Sequence, residues 1–523
     1  MTPRRQCGKA LPPTREPIKL PRASPASNSE SAILPASPWS FATVTDLSAA
    51  LRAKQVSAVE LAQDAISRIE RHDDKVNAVC VRDFDRALQS ARAADLALSR
   101  GGREPLLGIP MTVKESFNVA GLPTTWGFVE HKNFVAAADA LAVERVKAAG
   151  GVVLGKTNVP VALGDWQSYN EIYGTTGNPY DLGRTPGGSS GGSSAALAAG
   201  FGALSLGSDI GGSLRVPAHY CGVYAHKPTF GLCPARGHTP PPFPPLPSNR
   251  DLSVIGPMAR SAADLALLLD VIAGTDPIFD GIAYRLDLPA ARHSALKDFR
   301  VLLLDTHPLL PTGSAVHGAL QTLADGLTKA GVSVTRSSPL LPDLAETSRV
   351  YMRMLLSFLA AGFPPDLYAG AQAMAAQLSA SDDSLAAERL RGIVLSHRDW
   401  VAADSRRTGL RAQWRELFKS FDAVICPVMP TPAYPHDHHE PQEERRILID
   451  GKQHPYVDQL VWPGIATLPG LPSTALPIAM SDDGLPIGAQ IVGPWLEDRT
   501  PLKLAELIER EFGGFKPPKA FVD

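Results

Sequence analysis

Two glycine-framed serine clusters, Gly187-Gly188-Ser189-Ser190-Gly191-Gly192 and Asp209-Ile210-Gly211-Gly212-Ser213, lie on one short stretch of the chain. Between them, Ala195–Ala199 reads as a helix, because alanine has the best helix propensity. Leu204-Ser205-Leu206-Gly207 then reads as a short strand running into the second cluster. Flexible linkers are not flanked by such strong structure, so both clusters are ordered turns inside a packed α/β unit. Serine alone is a weak nucleophile, and glycine leaves backbone N–H groups uncovered. Together they point to an activated serine beside an oxyanion hole. A base must take the serine's proton. The candidate is Lys114, at the end of the apolar run Gly108-Ile109-Pro110-Met111-Thr112-Val113-Lys114. An isolated lysine usually snorkels to the surface; one closing a buried strand is a candidate desolvated base, and Ser–Lys versions of the triad exist.

The rest of the chain alternates strands with helices. Ser57-Ala58-Val59-Glu60 is a capping box, and Val59, Ala62, Ile66 and Ile69 follow with helical spacing. Met111–Val113 and Gly151–Leu154 read as short buried strands, the second after a helical stretch at Ala140–Ala149. Residues 261–273 and 500–511 read as helices, and a helical pattern dominates 340–420. Pro240–Pro247 is an extended loop. The fold class is α/β: one α/β/α domain over 39–515 around a large internal sheet, with a basic Pro/Ser-rich disordered tail at 1–38 and a short tail at 516–523.

Composition narrows the class. At 523 residues, 44% hydrophobic and 20% charged, this is a soluble globular chain with ample core. The formal net charge of −2 gives no reason to expect nucleic acid or an anionic membrane as partner. The cysteines Cys7, Cys80, Cys221, Cys233 and Cys426 are scattered and odd in number, which fits neither a disulfide framework nor a zinc site. The expected compartment is the reducing cytoplasm. Residues 1–38 hold no apolar run suited to a secretory signal, and no segment offers eighteen continuous apolar residues.

Three other motifs compete. Gly150–Thr157 satisfies the phosphate-loop pattern GxxxxGK(S/T), but its Val-Val-Leu interior wants to be a strand and Pro160 opposes the required helix. Gly187–Gly191 matches the nucleophile elbow GxSxG, which would make Ser189 the nucleophile and leave the second cluster unexplained. His436-Asp437-His438-His439-Glu440 hints at a metal, yet it follows the proline-rich Pro427–Pro435 and lacks helical spacing, so it reads as a solvated loop.

The ordered set of motifs resembles the amidase signature family. The match runs through Gly108-Ile109-Pro110 to Lys114, Gly155-Lys156-Thr157-Asn158, Asn178-Pro179-Tyr180-Asp181, Pro186–Ser193 and Gly207–Arg215. Later echoes are Gly222 with Lys227-Pro228-Thr229, Gly256–Arg260 and Gly484–Gly488, so the likeness covers about residues 40–515.

The resemblance implies an amidase signature fold and a Ser–cis-Ser–Lys triad. Ser213 would be the nucleophile, Ser189 the bridging serine after a cis peptide, and Lys114 the base. The oxyanion hole would be the N–H groups of Ile210, Gly211, Gly212 and Ser213. Ser190, Ser208, Asp209 and Arg215 would support the triad, and Leu163 and Gly188 are candidate substrate contacts. No metal and no organic cofactor is expected.

The expected function is hydrolysis of amide C–N bonds through an acyl-enzyme, on small aliphatic or aryl amides, with carbamates and esters chemically close. The rivals are a glutaminase subunit of a tRNA-dependent amidotransferase, a dedicated carbamate hydrolase, a silent binding protein and a nucleotide binder. Pocket walls are expected from 163–169, 238–249 and parts of 340–470. The substrate's identity and the oligomeric state, a homodimer included, stay open at this level.

Overall fold

Alternating apolar strands and amphipathic helices must bury one face of each element, and the chain does so around a single large sheet. The computed structural model describes residues 37–247 and 250–522. The tail expected over 1–38 therefore lies outside the described residues, except for Ser37 and Pro38. From Ser37 onward the chain forms one compact unit.

Among the described residues the sheet has eleven strands. In chain order they are β1 (Val79–Arg82), β2 (Pro110–Lys114), β3 (Val152–Thr157), β4 (Leu204–Asp209), β5 (Tyr224–Lys227) and β6 (Val254–Ala259). Then come β7 (Arg300–Leu303), β8 (Ser333–Thr335), β9 (Ala423–Pro427), β10 (Ser473–Met480) and β11 (Pro486–Val492). Across the sheet the order is β1-β3-β2-β4-β6-β5-β10-β11-β9-β7-β8. Pairing is parallel among β3, β2 and β4 and among β9, β7 and β8, and antiparallel elsewhere, so the sheet is mixed.

Helices α1 (Ala58–Val76), α2 (Leu141–Ala148), α3 (Gly191–Ala198), α4 (Arg215–Cys221), α5 (Ala262–Ile272), α6 (Leu344–Leu359), α7 (Leu385–Ile393) and α8 (Arg499–Phe512) are among those that flank it. The expected capping box opens α1: Glu60 N–H donates to Ser57 Oγ at 3.1 Å and Ser57 N–H to Glu60 Oε2 at 2.7 Å. The 340–420 stretch is helical as read, with α6, α7 and two further helices, Pro365–Ala375 and His397–Ser420. Past 515 the chain stays on the unit: Phe521 is buried, and its carbonyl accepts from Arg68 Nη2 at 2.8 Å.

Two elements differ from the sequence reading in extent. The helix after the first cluster starts at Gly191, not Ala195. Glycine's low propensity is overridden by packing, since a Cβ on Gly191 would meet Ser168 Oγ at 2.3 Å and one on Gly192 would meet Asn158 N at 2.4 Å. The strand read at 151–154 runs on to Thr157 because Lys156 and Thr157 continue the ladder with Val113 and Lys114.

Parallel pairing decides where the chemistry gathers. β2 and β4 run side by side with Val113 opposite Leu206, so their carboxyl ends reach the same sheet edge. After α3, Ala203 N–H donates to Pro110 O at the opposite edge, so α3 runs back along the sheet with its amino end beside those carboxyl ends. Lys114, the 187–192 cluster and the 209–213 cluster are thus delivered to one edge. Val113, Leu154, Leu204 and Leu206 lie buried beneath them, each contributing about 1.5–3 kcal/mol by leaving water.

Candidate active site

Lys114 is the last residue of β2 and is wholly buried. Its Nζ donates to Ser189 Oγ at 2.7 Å and to Ser208 Oγ at 2.9 Å. Burial drives its pKa well below that of a free lysine; the negative charge of Asp209 opposes the shift without cancelling it. A neutral amine keeps a lone pair, so it can accept a proton.

The peptide between Gly188 and Ser189 is cis. Glycine is required next to it. Gly187 has φ +89°, and a Cβ there would meet Pro217 Cα at 2.6 Å. Ser168 grips the cluster from both sides, donating to Gly187 O at 3.1 Å and accepting from Gly191 N–H at 3.1 Å. Ser190 Oγ bridges to the other cluster, donating to Ser208 O at 3.3 Å, and Ser190 N–H donates to Ser213 O at 3.2 Å.

Asp209 organises the second cluster. Arg215 Nε and Nη2 bind its two carboxylate oxygens at 3.0 and 2.9 Å, with both side chains buried. Gly212 N–H and Leu214 N–H add bonds of 2.9 and 3.1 Å. Burial alone would push the carboxyl's pKa up, but the guanidinium's charge and hydrogen bonds outweigh it and hold the group below the ordinary aspartate range. Arg215 also reaches Pro463 O, Gln490 and Thr467, tying the cluster to β11 and the 461–467 helix.

A cavity of about 130 Å³ opens over this cluster and is lined by Ser213, Ile210 and Gly211. Its further walls are mostly apolar, from Leu163, Trp166, Leu355, Leu356, Val457 and Leu460, with Arg389, Gln442 and Glu443 supplying polar groups. A larger cleft of about 990 Å³ near Ser57 and Arg103 shares no residue with the site.

The structure therefore gathers Lys114, Ser189 and Ser208 into direct hydrogen bonds and places Ser190, Asp209 and Arg215 around them. Ser213 stands at the cavity, and among the described residues no hydrogen bond joins its hydroxyl to Ser189. Leu163 lines the cavity; Gly188 does not, being packed where a Cβ would meet Asp165 O at 2.3 Å. Among the described residues of the 238–249 loop, 238–247, none lines the cavity, whereas 163–166 and the 355–460 region do. Gly212 differs from its expected role as an open donor, since its N–H is occupied by Asp209.

The competing motifs resolve locally. Lys156 is buried in β3, its Nζ bonded to Pro123 O and to Thr124 Oγ1, so the lysine of the Gly150–Thr157 run is engaged within the protein. His438 stacks on Tyr169 with ring centroids 3.7 Å apart. Among the described residues no three His, Cys, Asp or Glu side chains are grouped to hold a metal ion. Nor, among them, is any helix long and apolar enough to cross a membrane.

Comparison with known proteins gives a consistent picture. The protein-family model described as Amidase matches residues 60–502. Fatty-acid amide hydrolase 2-A of Danio rerio is 30% identical over 506 residues, covering 92% of this chain and 90% of that protein. A glutamyl-tRNA(Gln) amidotransferase subunit from Thermus thermophilus is 34% identical over 475 residues, covering 87% and 94%. A solved structure from a vestigial protein complex tied to the origins of an s-triazine catabolic enzyme superposes with a TM-score of 0.75 at 30% identity, covering 91% of this chain and all of that one.

Proposed function

The chain belongs to the amidase signature family and is an amide hydrolase, and from that premise we propose that it cleaves small aliphatic or aryl amides through a Ser213 acyl-enzyme. The observation that carries this reading is Lys114, a wholly buried amine whose pKa burial pushes well down, bonded to Ser189 one loop away from a serine that lines a cavity.

Ser213 Oγ attacks the amide carbon and forms a C–O bond. Its proton passes to Ser189 as Ser189's own proton passes to the Lys114 lone pair. The carbonyl electrons move onto oxygen, where backbone N–H groups receive them; losing one such donor typically costs about 3 kcal/mol of transition-state stabilisation. As the tetrahedral intermediate collapses, the C–N bond breaks and the Lys114 proton returns through Ser189 to the departing nitrogen. Water then attacks the ester by the same route, releasing the carboxylic acid and restoring Ser213. Asp209 and Arg215 brace the loop, and Ser208 and Ser190 hold the relay in place.

The cavity's size and apolar walls support a compact, mostly apolar substrate with a polar end toward Arg389 and Gln442. Carbamates and esters fit the same acyl transfer. Cytoplasmic residence accords with the free thiols of Cys80, Cys221, Cys233 and Cys426. A glutaminase role within a larger amidotransferase is the second reading, favoured by the likeness to the Thermus thermophilus protein.

A hydrolysis panel of glutamine, short aliphatic amides, anilides and aryl carbamates, run with added hydroxylamine, tests the proposal. Acyl hydroxamate formed from aliphatic amides or anilides is the expected product. Turnover of glutamine alone would favour the second reading, and hydrolysis with no hydroxamate would remove the acyl-enzyme.

A further inference from the structure

We propose that Tyr351 and Trp166 are positioning residues that set the direction of the peptide planes in the 210–213 loop, and so decide which of its N–H groups meet the developing oxyanion. The inference rests on Ser213 being the nucleophile of that loop.

The tethers are direct. Tyr351 OH donates to Ile210 O at 2.7 Å, and Trp166 Nε1 donates to Gly211 O at 2.8 Å. Val216 N–H, from the first turn of α4, takes Gly212 O at 2.7 Å. These peptides are trans, the cis bonds of the described chain lying elsewhere. In a trans peptide the N–H points opposite to its carbonyl. Holding Ile210 O therefore aims Gly211 N–H away from Tyr351. Holding Gly211 O aims Gly212 N–H away from Trp166, onto Asp209 Oδ1 at 2.9 Å. Holding Gly212 O does the same for Ser213 N–H.

The result alternates along the loop. Gly212 N–H is consumed by Asp209, while Gly211 N–H and Ser213 N–H have no hydrogen-bond acceptor among the described residues, and both residues line the cavity. Two adjacent glycines make such tethering necessary. Without side chains the planes on either side of Gly211 rotate with little steric resistance, and Gly212 already sits at φ +95°. A flipped plane would present a carbonyl oxygen where the oxyanion forms, which repels instead of stabilising.

Both donors are themselves held. Tyr351, on α6, is fully buried, and its ring lies against Gly464, where a Cβ would come within 2.6 Å of Cδ1. Burial pushes the phenol pKa up, so it stays a proton donor. Trp166 packs on the Tyr456 ring at 5.3 Å, and its neighbour Asp165 is bound by Arg445 at 2.6 Å and Tyr456 OH at 2.7 Å.

The test uses Tyr351→Phe and Trp166→Phe, each keeping an aromatic ring and losing one donor. Each is expected to lower kcat about tenfold, less than the hundredfold or more lost with an oxyanion donor itself. For Tyr351→Phe, which leaves the cavity walls intact, KM should stay within about twofold and inhibition by the carboxylic acid product should not change. Trp166 is itself a cavity wall, so Trp166→Phe is read by a larger loss of affinity for a trifluoromethyl ketone, which needs the oxyanion site, than for the acid; in Tyr351→Phe the ketone should weaken by the same factor as kcat. Folded variants with wild-type kcat and wild-type ketone affinity would overturn the proposal, as would equal losses for ketone and acid. If one variant fails to fold, the other decides. Loss of function in Ser213→Ala is a separate outcome: if that variant stays active, the nucleophile assignment falls first, whatever Tyr351 and Trp166 do.

Discussion

Lys114 Nζ lies 2.7 Å from Ser189 Oγ with both side chains shut away from water. A charged ammonium in that place would be poorly solvated, because Asp209, the carboxylate that opposes its neutralisation, is already bound by Arg215. The pair makes sense with the lysine neutral, and that state has consequences for both rate and stability.

The lysine's folded pKa is depressed below its unfolded value of about 10.4. Between those two values the unfolded chain binds one more proton at this site than the folded chain, so this contribution to stability rises with pH and is complete above the unfolded value. Lys114→Met removes it. The thermal stability of wild type relative to Lys114→Met should therefore climb with pH on the alkaline side, up to about pH 10. A difference that stays flat over that range would mean the lysine is charged in the folded protein. Activity of the variant should be nearly abolished.

Arg215 and Asp209 form a buried pair at 2.9 Å beneath the loop that carries Ser213. Arg215→Met leaves a buried carboxylate held by backbone donors alone, and the expected loss is about 3–5 kcal/mol in denaturant unfolding. Asp209→Asn combined with Arg215→Met should recover part of that loss. A single variant as stable as wild type would show that the pair does not brace the loop.

Leu163 and Ser213 line the same cavity of about 130 Å³. Leu163→Trp should raise KM for anilides at least fivefold more than for a short aliphatic amide, because added bulk consumes space only the larger substrate needs. Equal effects on both substrates, read from steady-state kinetics, would place the acyl or amine group elsewhere.

Much of this site was legible because its signals are local. Glycine–serine clusters after an apolar strand and before an alanine run say where turns must be, and Lys114 closes a strand whose apolar residues announce burial. The pairing of Asp209 with Arg215, by contrast, follows only from the resemblance to the amidase signature family. Tyr351 and Trp166 were not legible. Their bonds to Ile210 and Gly211 span 141 and 45 residues, and a tyrosine in a helical stretch looks like any core aromatic. The same limit applies to Gly212: its sequence shows a bare N–H, while only the folded loop shows Asp209 occupying it. The proline-dense 238–249 loop shows the opposite limit: irregular backbone suggests a pocket wall, whereas in its described part, 238–247, Phe243 is 65% exposed.

The most direct measurement is the mass of the intact protein after treatment with a fluorophosphonate, followed by peptide mapping. Wild type should gain one adduct on Ser213, Ser213→Ala should gain none, and Lys114→Ala should label far more slowly. An adduct on Ser189, or full labelling of Ser213→Ala, would contradict the account.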